Sequence, residues 1–464
     1  MNARNLRRRT DTSAEAGFTL VELTVSLLAG LLVAMGVVAL SREATTTFHE
    51  ETRSSAAEAA LRTAVDRLRA DLERAGFMST GNINSVNVTG APRIARPLGQ
   101  ATNYPVSGNV PNGLKALASV TLKAGGAVTL PLSSAQPVAL TPDLIQISGN
   151  MTSADQFEIA SYAAQYQQGC TRIWLVPNSP AVYRVIGVPP YPVGGTQDTD
   201  MRAIFFPMGL QAANEQFLVR VVDASGCAQY LATCTATNGA GVDTNGPYVD
   251  ISGTTPLVTA AATGSTCGVT GFGEGAVINP VQTVQWEITY AGAADPEPAT
   301  YNTLGIATGD ATKYDLMRTF VDASGTPVWS TSEIIAEYAV DLSFAFSVDQ
   351  GTALAPNIVT YPFDAPALNN PYATPPFVAG SNVGPERIRS IQARLVTRTA
   401  LPDRSVNIAL PTHSGQNYGT EKFAYRYCMQ ASGCTSNPTN APIWARTRTI
   451  VTEAALPNQA GNFY

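Results

Sequence analysis

A single apolar stretch near the N-terminus, residues 18–40, constrains this 464-residue chain most strongly. Its 23 residues carry one charged side chain, Glu22. As an α-helix the stretch would span about 34 Å, enough for the hydrocarbon core of a bilayer. Four arginines precede it, at positions 4, 7, 8 and 9. The positive-inside rule therefore predicts a cytoplasmic leader and an outward-facing remainder.

The position of the nearest small residue distinguishes this N-terminus from a secretory signal peptide. A secretory signal has its small-residue cleavage site after the apolar core. Here the only well-placed small residue, Gly17, precedes that core. Cleavage at Gly17 would remove the arginines and keep the apolar helix, so we predict a leader at 1–17 and a membrane-spanning segment at 18–40.

Residues 17–22, Gly-Phe-Thr-Leu-Val-Glu, resemble the class III signal of type IV prepilins and type II secretion pseudopilins. The resemblance implies cleavage between Gly17 and Phe18 by a prepilin peptidase, and N-methylation of Phe18. It also implies a role for Glu22 in assembly, where the glutamate of one subunit meets the N-terminal amine of its neighbour. The residues alone leave an alternative, in which Glu22 pairs with the α-amino group of its own chain.

A second helical half is predicted to follow the membrane-spanning segment. No proline occurs before Pro92, so one helix can run from Phe18 to about Gly76. Apolar residues recur at spacings of three and four, which is typical of a helix with one buried face: Ala57, Leu61, Ala64, Leu68, Leu72 and Ala75. Gly76 is a suitable C-terminal stop. We predict that this half, residues 41–76, docks on a globular domain.

Further stretches are similar to the PilW-type minor pilins. Residues 71–77, Asp-Leu-Glu-Arg-Ala-Gly-Phe, resemble the helix exit of that family, with departures at Glu73 and Phe77. Residues 141–147, 314–318, 334–342 and 389–398 resemble its strands. The resemblance implies an α+β fold, in which the long helix packs on an antiparallel β-rich domain.

The remainder of the chain, residues 77–464, is predicted to be β-rich and to carry large loop insertions. Residues 78–140 are dominated by loop-forming residues, and later apolar runs alternate with turn residues. The predicted strands are 144–147, 172–176, 182–186, 203–206, 217–222, 283–290, 314–321, 335–346, 388–398, 423–429 and 443–451. Residues 225–282 and 349–386 lack clean periodicity and are predicted to be insertions that leave the core sheet. The first could equally fold into a small lobe held by disulfides.

Six cysteines follow the membrane-spanning segment, on the side predicted to be outside. An even number in an oxidising compartment indicates disulfides, although six cysteines allow 15 complete pairings. Cys428–Cys434 is the favoured pair because a short turn joins the two residues. Cys227–Cys234 follows for the same reason, and Cys170–Cys267 is the remainder.

The residue inventory favours a non-enzymatic protein. The two histidines, His49 and His413, form no zinc motif, and no nucleophile elbow is present. Asp198 and Asp200 could supply oxygen ligands to Ca²⁺, but the rest of a calcium-loop pattern is missing and a solvated turn is the favoured interpretation. We predict no catalytic residue, no metal site and no cofactor. The formal net charge of −6, which becomes −8 without residues 1–17, argues against direct nucleic-acid binding.

The resemblance implies a minor pilin that primes type IV pilus assembly and lies at or near the pilus tip. Its implied partners are other minor pilins, the major pilin, the prepilin peptidase, the inner-membrane assembly platform and a tip adhesin. The protein would span the inner membrane before assembly, with a periplasmic domain, and reach the cell surface afterwards. The alternatives are a J-type pseudopilin of type II secretion and, from another class, a membrane-anchored periplasmic hydrolase.

Overall fold

The computed structural model describes residues 19–83, 111–123, 142–167, 169–207, 215–222, 228–234, 239–252, 276–290, 313–352, 355–363, 371–375, 383–401, 426–429 and 444–459. The chain divides into two compact units, Met1–Ser55 and Ala56–Tyr464. The fold is α+β, as predicted: a long N-terminal helix is followed by a large antiparallel β domain.

One helix, α1, runs from Leu20–Glu73, close to the predicted span of 18–76. Its apolar first part, as far as Leu40, is solvent-exposed in the first unit. In the second unit, Leu61, Ala64, Leu68 and Leu72 of the predicted stripe are buried in the main core. The helical period therefore identified the docked face correctly.

Two features end α1. Gly76 has a φ of +72°, which glycine adopts without steric cost, and its N–H donates to Ser148 O at 2.9 Å. The Asn458 Nδ2 group donates to Glu73 O at 3.0 Å and to Ala75 O at 3.3 Å. These bonds satisfy carbonyl groups that a helix C-terminus otherwise leaves without partners.

Three short helices and sixteen strands follow among the described residues. The helices are α2 (Asn112–Lys115), α3 (Pro180–Ile186) and α4 (Thr196–Phe205). The strands are β1 (Val120–Lys123), β2 (Leu144–Gly149), β3 (Phe157–Gln167), β4 (Cys170–Leu175), β5 (Leu218–Val222), β6 (Ala228–Ala232), β7 (Ala240–Asp243), β8 (Gly246–Ser252), β9 (Val277–Tyr290), β10 (Tyr314–Val321), β11 (Glu333–Glu337), β12 (Ala339–Asp349), β13 (Ile358–Tyr361), β14 (Ile388–Arg398), β15 (Arg426–Cys428) and β16 (Trp444–Ala455).

These strands form two antiparallel sheets. The larger sheet has the order β1-β2-β9-β3-β4-β8-β7, with β10 and β5 also paired to β9, β11 paired to β10, and β6 paired to β5. The smaller sheet has the order β13-β12-β14-β16-β15. Asp143 joins the two sheets: its N–H donates to Leu342 O at 2.7 Å, and its Oδ2 accepts the Phe344 N–H at 3.1 Å.

Two predicted strands, 182–186 and 203–206, are wrong, because residues 182–186 belong to α3 and residues 203–205 to α4, which Phe206 follows as C-cap. Short apolar runs do not distinguish a strand from a buried helix, and local signals decide. Ser179 caps α3 by accepting the Val182 N–H at 3.3 Å, and a proline occupies the first turn. The predicted strand 335–346 is also divided, because Tyr338 adopts a φ of +57° between β11 and β12.

Much of the predicted insertion 225–282 belongs to the larger sheet. Strands β6, β7 and β8 and the start of β9 lie within it, and β8 pairs with β4 along five residues. In the predicted insertion 349–386, β13 pairs with the end of β12. Strands β1 and β3 were not predicted from the sequence. The alternation in β1, Val-Thr-Leu-Lys, covers only four residues of a loop-rich stretch. In β3, small and polar residues hide the alternation that ordinarily identifies a strand.

Candidate membrane-anchor and helix-docking sites

Glu22 lies in the first turn of α1 and forms a reciprocal capping box with Thr19. The Thr19 N–H and hydroxyl donate to Glu22 Oε2 at 3.0 and 2.9 Å, and the Glu22 N–H donates to Thr19 Oγ1 at 3.2 Å. The arrangement satisfies N–H groups that a helix N-terminus leaves open, and it places a carboxylate at the positive end of the helix dipole. Gly17 and Phe18 lie outside the described residues.

The apolar part of α1 is long enough and apolar enough to cross a membrane. Its large side chains are exposed, from Leu20 at 81% to Leu40 at 70%. A soluble core helix would bury such residues, because each buried leucine contributes about 1.5–3 kcal/mol. Among the described residues, α1 is the one helix of this kind.

The docked half of α1 carries one buried charge, Asp71, which is 5% exposed. The Arg318 Nε group donates to Asp71 Oδ2 at 2.6 Å, and its Nη2 group donates to Oδ1 at 3.3 Å. The Trp286 indole N–H donates to Oδ2 at 3.0 Å. Arg318 and Trp286 are cross-strand neighbours on β10 and β9. The sheet thus presents two donors side by side to one carboxylate of the helix.

Both residues of this ion pair lie in segments that resemble PilW-type sequences, but no sequence pattern connects the two segments. Asp71 begins the helix-exit segment 71–77, and Arg318 ends the segment 314–318. No spacing rule links two residues that lie 247 positions apart. The available signal was an acidic residue next to the apolar stripe, directly before Leu72.

The helix exit is held closely against the end of β2. Gly149 approaches the backbone of residues 74–77, and a Cβ there would lie 2.5 Å from Arg74 O. On either side of it, Gly76 N–H donates to Ser148 O, and Asn150 N–H donates to Phe77 O at 2.9 Å. A glycine is therefore required for the backbone of the exit to reach the strand.

The described cysteine pair differs from the predicted pairings. Cys170 at the start of β4 is bonded to Cys234 after β6, with a Cα–Cα distance of 6.1 Å. The predicted pairs Cys227–Cys234 and Cys170–Cys267 are therefore wrong, because the sheet, rather than closeness in sequence, brings the sulfurs together. Cys227, Cys267, Cys434 and the Cys428 side chain lie outside the described residues, so the Cys428–Cys434 pair stays a prediction.

The acidic residues considered for Ca²⁺ both lie on α4, and Asp198 makes other contacts. Asp198 lies on α4. Its Oδ2 accepts a hydrogen bond from Arg202 Nη2 at 2.5 Å, and its Oδ1 accepts one from the Val242 N–H at 2.8 Å. Asp200 lies on the same helix. In the described part of the chain, no group of three His, Cys, Asp or Glu side chains could hold a metal ion.

A buried charge cluster on the larger sheet was missed by sequence analysis. Arg172 donates to both Asp250 oxygens at 2.7 and 2.8 Å and to Asp243 Oδ2 at 2.9 Å. Its guanidinium lies 3.5 Å from the centre of the Tyr248 ring and 4.1 Å from that of Tyr166. Burial raises the pKa of Tyr248 to about 12. The saturated contacts of Arg172 indicate a structural role.

Another buried carboxylate lies on β10. Asp315 is fully buried; Lys313 Nζ lies 3.5 Å from its Oδ2, and its Oδ1 accepts the Tyr338 N–H at 3.1 Å. Burial raises the pKa of Asp315 above that of an ordinary aspartate, although the lysine and the amide act in the opposite direction. Lys313 also donates to Glu337 Oε1 at 2.6 Å.

These features define an α+β protein whose described residues include one helix able to span a membrane, with a continuation of that helix docked on an antiparallel sheet. Comparisons of the chain with protein-family models, curated proteins and solved structures find no match.

Proposed function

We propose that this protein is a minor pilin of the PilW type, which primes type IV pilus assembly and lies at or near the pilus tip with other minor pilins. It is inserted in the inner membrane by α1, and its β domain is periplasmic before assembly. It acts through non-covalent contacts with other subunits.

One observation carries the proposal: α1 is a continuous helix whose two parts have different surroundings. The first part is apolar and exposed and begins with Glu22, while the second part is buried against a sheet. A filament built from such helices would cover the first part. It would also give Glu22 a partner, namely the N-terminal amine created by cleavage after Gly17.

Mass spectrometry of the intact protein from its native host tests the maturation step. Removal of residues 1–17 and methylation of Phe18 are the expected results. Gly17→Val should accumulate the uncut precursor in the membrane. Normal maturation of Gly17→Val would refute the assignment of a prepilin signal.

Co-purification with the other minor pilins, together with abundance in sheared pili, tests assembly. Glu22→Ala should be inserted, cleaved and folded, yet be recovered poorly in both assays. Loss of one member of a buried ion pair typically costs about 3–5 kcal/mol. Ser26→Ala is the matched control, because it removes a polar group of the same segment that bonds only within the helix, to Leu23 O. Equal recovery of Glu22→Ala and Ser26→Ala would exclude the pairing role.

The same fractions separate the pilus role from the J-type pseudopilin role. Presence of the wild-type protein in sheared pili supports the pilus. Its absence there, combined with a secretion defect in a deletion strain, would assign the protein to type II secretion.

A further inference from the structure

We infer that the buried contact of Asp71 with Arg318 and Trp286 selects the register of α1 on the sheet. The apolar stripe alone cannot do so. Its members repeat at spacings of three and four, so a slip by one turn, about 5.4 Å, again places apolar residues on apolar residues. Leu61, for example, would replace Val65, and Leu68 would replace Leu72.

Asp71 breaks this repetition. A slip by four residues would place Arg67 or Ala75 opposite Arg318, and a slip by three would place Leu68 or Arg74 there. Two of these residues repel the guanidinium, and the other two leave it without an acceptor from α1.

Glu43, Glu50 and Glu51 lie 20 or more residues from Asp71, about 30 Å or more along the helix, and are out of reach of the two donors. The other acidic residues of α1 within residues 56–73 cannot substitute either. Glu58, Asp66 and Glu73 lie 13, 5 and 2 residues from Asp71. At 100° per residue none of them returns to the same face of the helix. Only one register therefore offers a carboxylate to the two buried donors.

The contact destabilises slipped registers of α1 more than it stabilises the native register. A buried ion pair gains little over well-packed apolar residues, whereas an unpaired buried charge costs several kilocalories per mole. Arg318 is 3% exposed and Trp286 is fully buried, so both would lose their acceptor in a slipped register without gaining water. The wrong registers are penalised heavily, and the native one is left nearly neutral.

Fluorine NMR of the full chain in detergent micelles tests the inference. The chain has four tryptophans, so 5-fluorotryptophan gives four signals, and Trp286→Phe assigns one of them. The wild type should show a single Trp286 signal. The apolar double variant Asp71→Leu/Arg318→Met should keep a cooperative thermal transition, but its Trp286 signal should split. A single Trp286 signal in that folded variant would overturn the inference.

A relocation variant provides an independent arm. Arg67→Asp/Asp71→Leu moves the carboxylate by one turn, so α1 should move along its axis by about 5.4 Å relative to the sheet. Electron-spin distances between labels at exposed Arg62 and exposed Val451 should change from the wild-type value. An unchanged distance in the folded protein contradicts register selection. Failure of both double variants to fold also contradicts it, because the contact would then be required by the fold itself.

The inference does not depend on the proposed function, because both measurements concern the folded chain alone. Recovery in sheared pili provides a separate readout. Poor recovery of a folded, slipped variant would connect the register to assembly.

Discussion

Replacement of Gly149 by alanine should destabilise the β domain strongly, because the helix exit and the end of β2 are in backbone contact there. The added Cβ would lie 2.5 Å from Arg74 O, 3.3 Å from Phe77 N and 3.4 Å from Phe77 O. Backbone atoms cannot rotate away as a flexible side chain can. The exit must therefore move away from the strand.

The magnitude follows from what that movement breaks. Overpacking of a tight site costs about 1–3 kcal/mol. The movement also weakens two flanking hydrogen bonds, Gly76 N–H to Ser148 O and Asn150 N–H to Phe77 O. Each contributes about 0.5–1.5 kcal/mol. The expected loss is about 2–6 kcal/mol in the free energy of unfolding.

Urea titration of the full chain in micelles, followed by tryptophan fluorescence, measures this loss. Gly149→Ala should lower the denaturation midpoint without changing the slope. Gly36→Ala is the control, because a Cβ there meets nothing within 4 Å. Equal midpoints for the two variants would refute the close approach of the helix exit to β2.

Three further predictions concern other contacts. Replacing Cys170 and Cys234 by alanine should cost about 4 kcal/mol, from the chain entropy of a 64-residue separation; a urea midpoint equal to that of the reduced wild type would show that this bond carries the stabilisation. Asp315→Asn should flatten the acid part of the stability–pH curve. The raised pKa of Asp315 gives stability that is fully present below the aspartate pKa of the unfolded chain and is lost as pH rises through the native pKa; an unchanged curve would contradict that shift. Ser179→Ala should cost about 0.5–2 kcal/mol by removing the cap of α3, and amide exchange at Val182 should accelerate; unaltered exchange would exclude the cap.

The long helix could be predicted because its signals are local and repeated. Three features of the sequence predict α1. They are an apolar run long enough to cross a membrane, apolar residues that recur about every 3.6 residues, and a glycine at the end. The α3 segment shows the opposite case. Its residues 182–186, apolar apart from Arg184, suit a strand, and only the preceding Ser179 and Pro180 indicate a helix start. A pattern of five residues is too short to predict a strand where a helix cap precedes it.

Contacts between distant segments could not be predicted in the same way. The partner of Cys170 is decided by the pairing of β4 with β8 and by the bridge between Thr233 and Ile251, which brings the end of β6 to β8. No local sequence pattern predicts these pairings. Asp71 and Arg318 meet for a similar reason, because β9 and β10 must pair before Arg318 and Trp286 become neighbours. The spacing of residues along the chain does not predict such long-range contacts.

Strand β9 has a consequence for the order of events during synthesis. It pairs with β2, β3, β5 and β10, so the larger sheet cannot close before residue 290 has been made. The buried charge contact of α1 forms later still, because Arg318 follows Asp71 by 247 residues. At about 5–20 residues per second, this interval is roughly 12–50 s. The amphipathic half of α1 thus leaves the ribosome long before its sheet exists, and during that interval its apolar face needs a temporary cover.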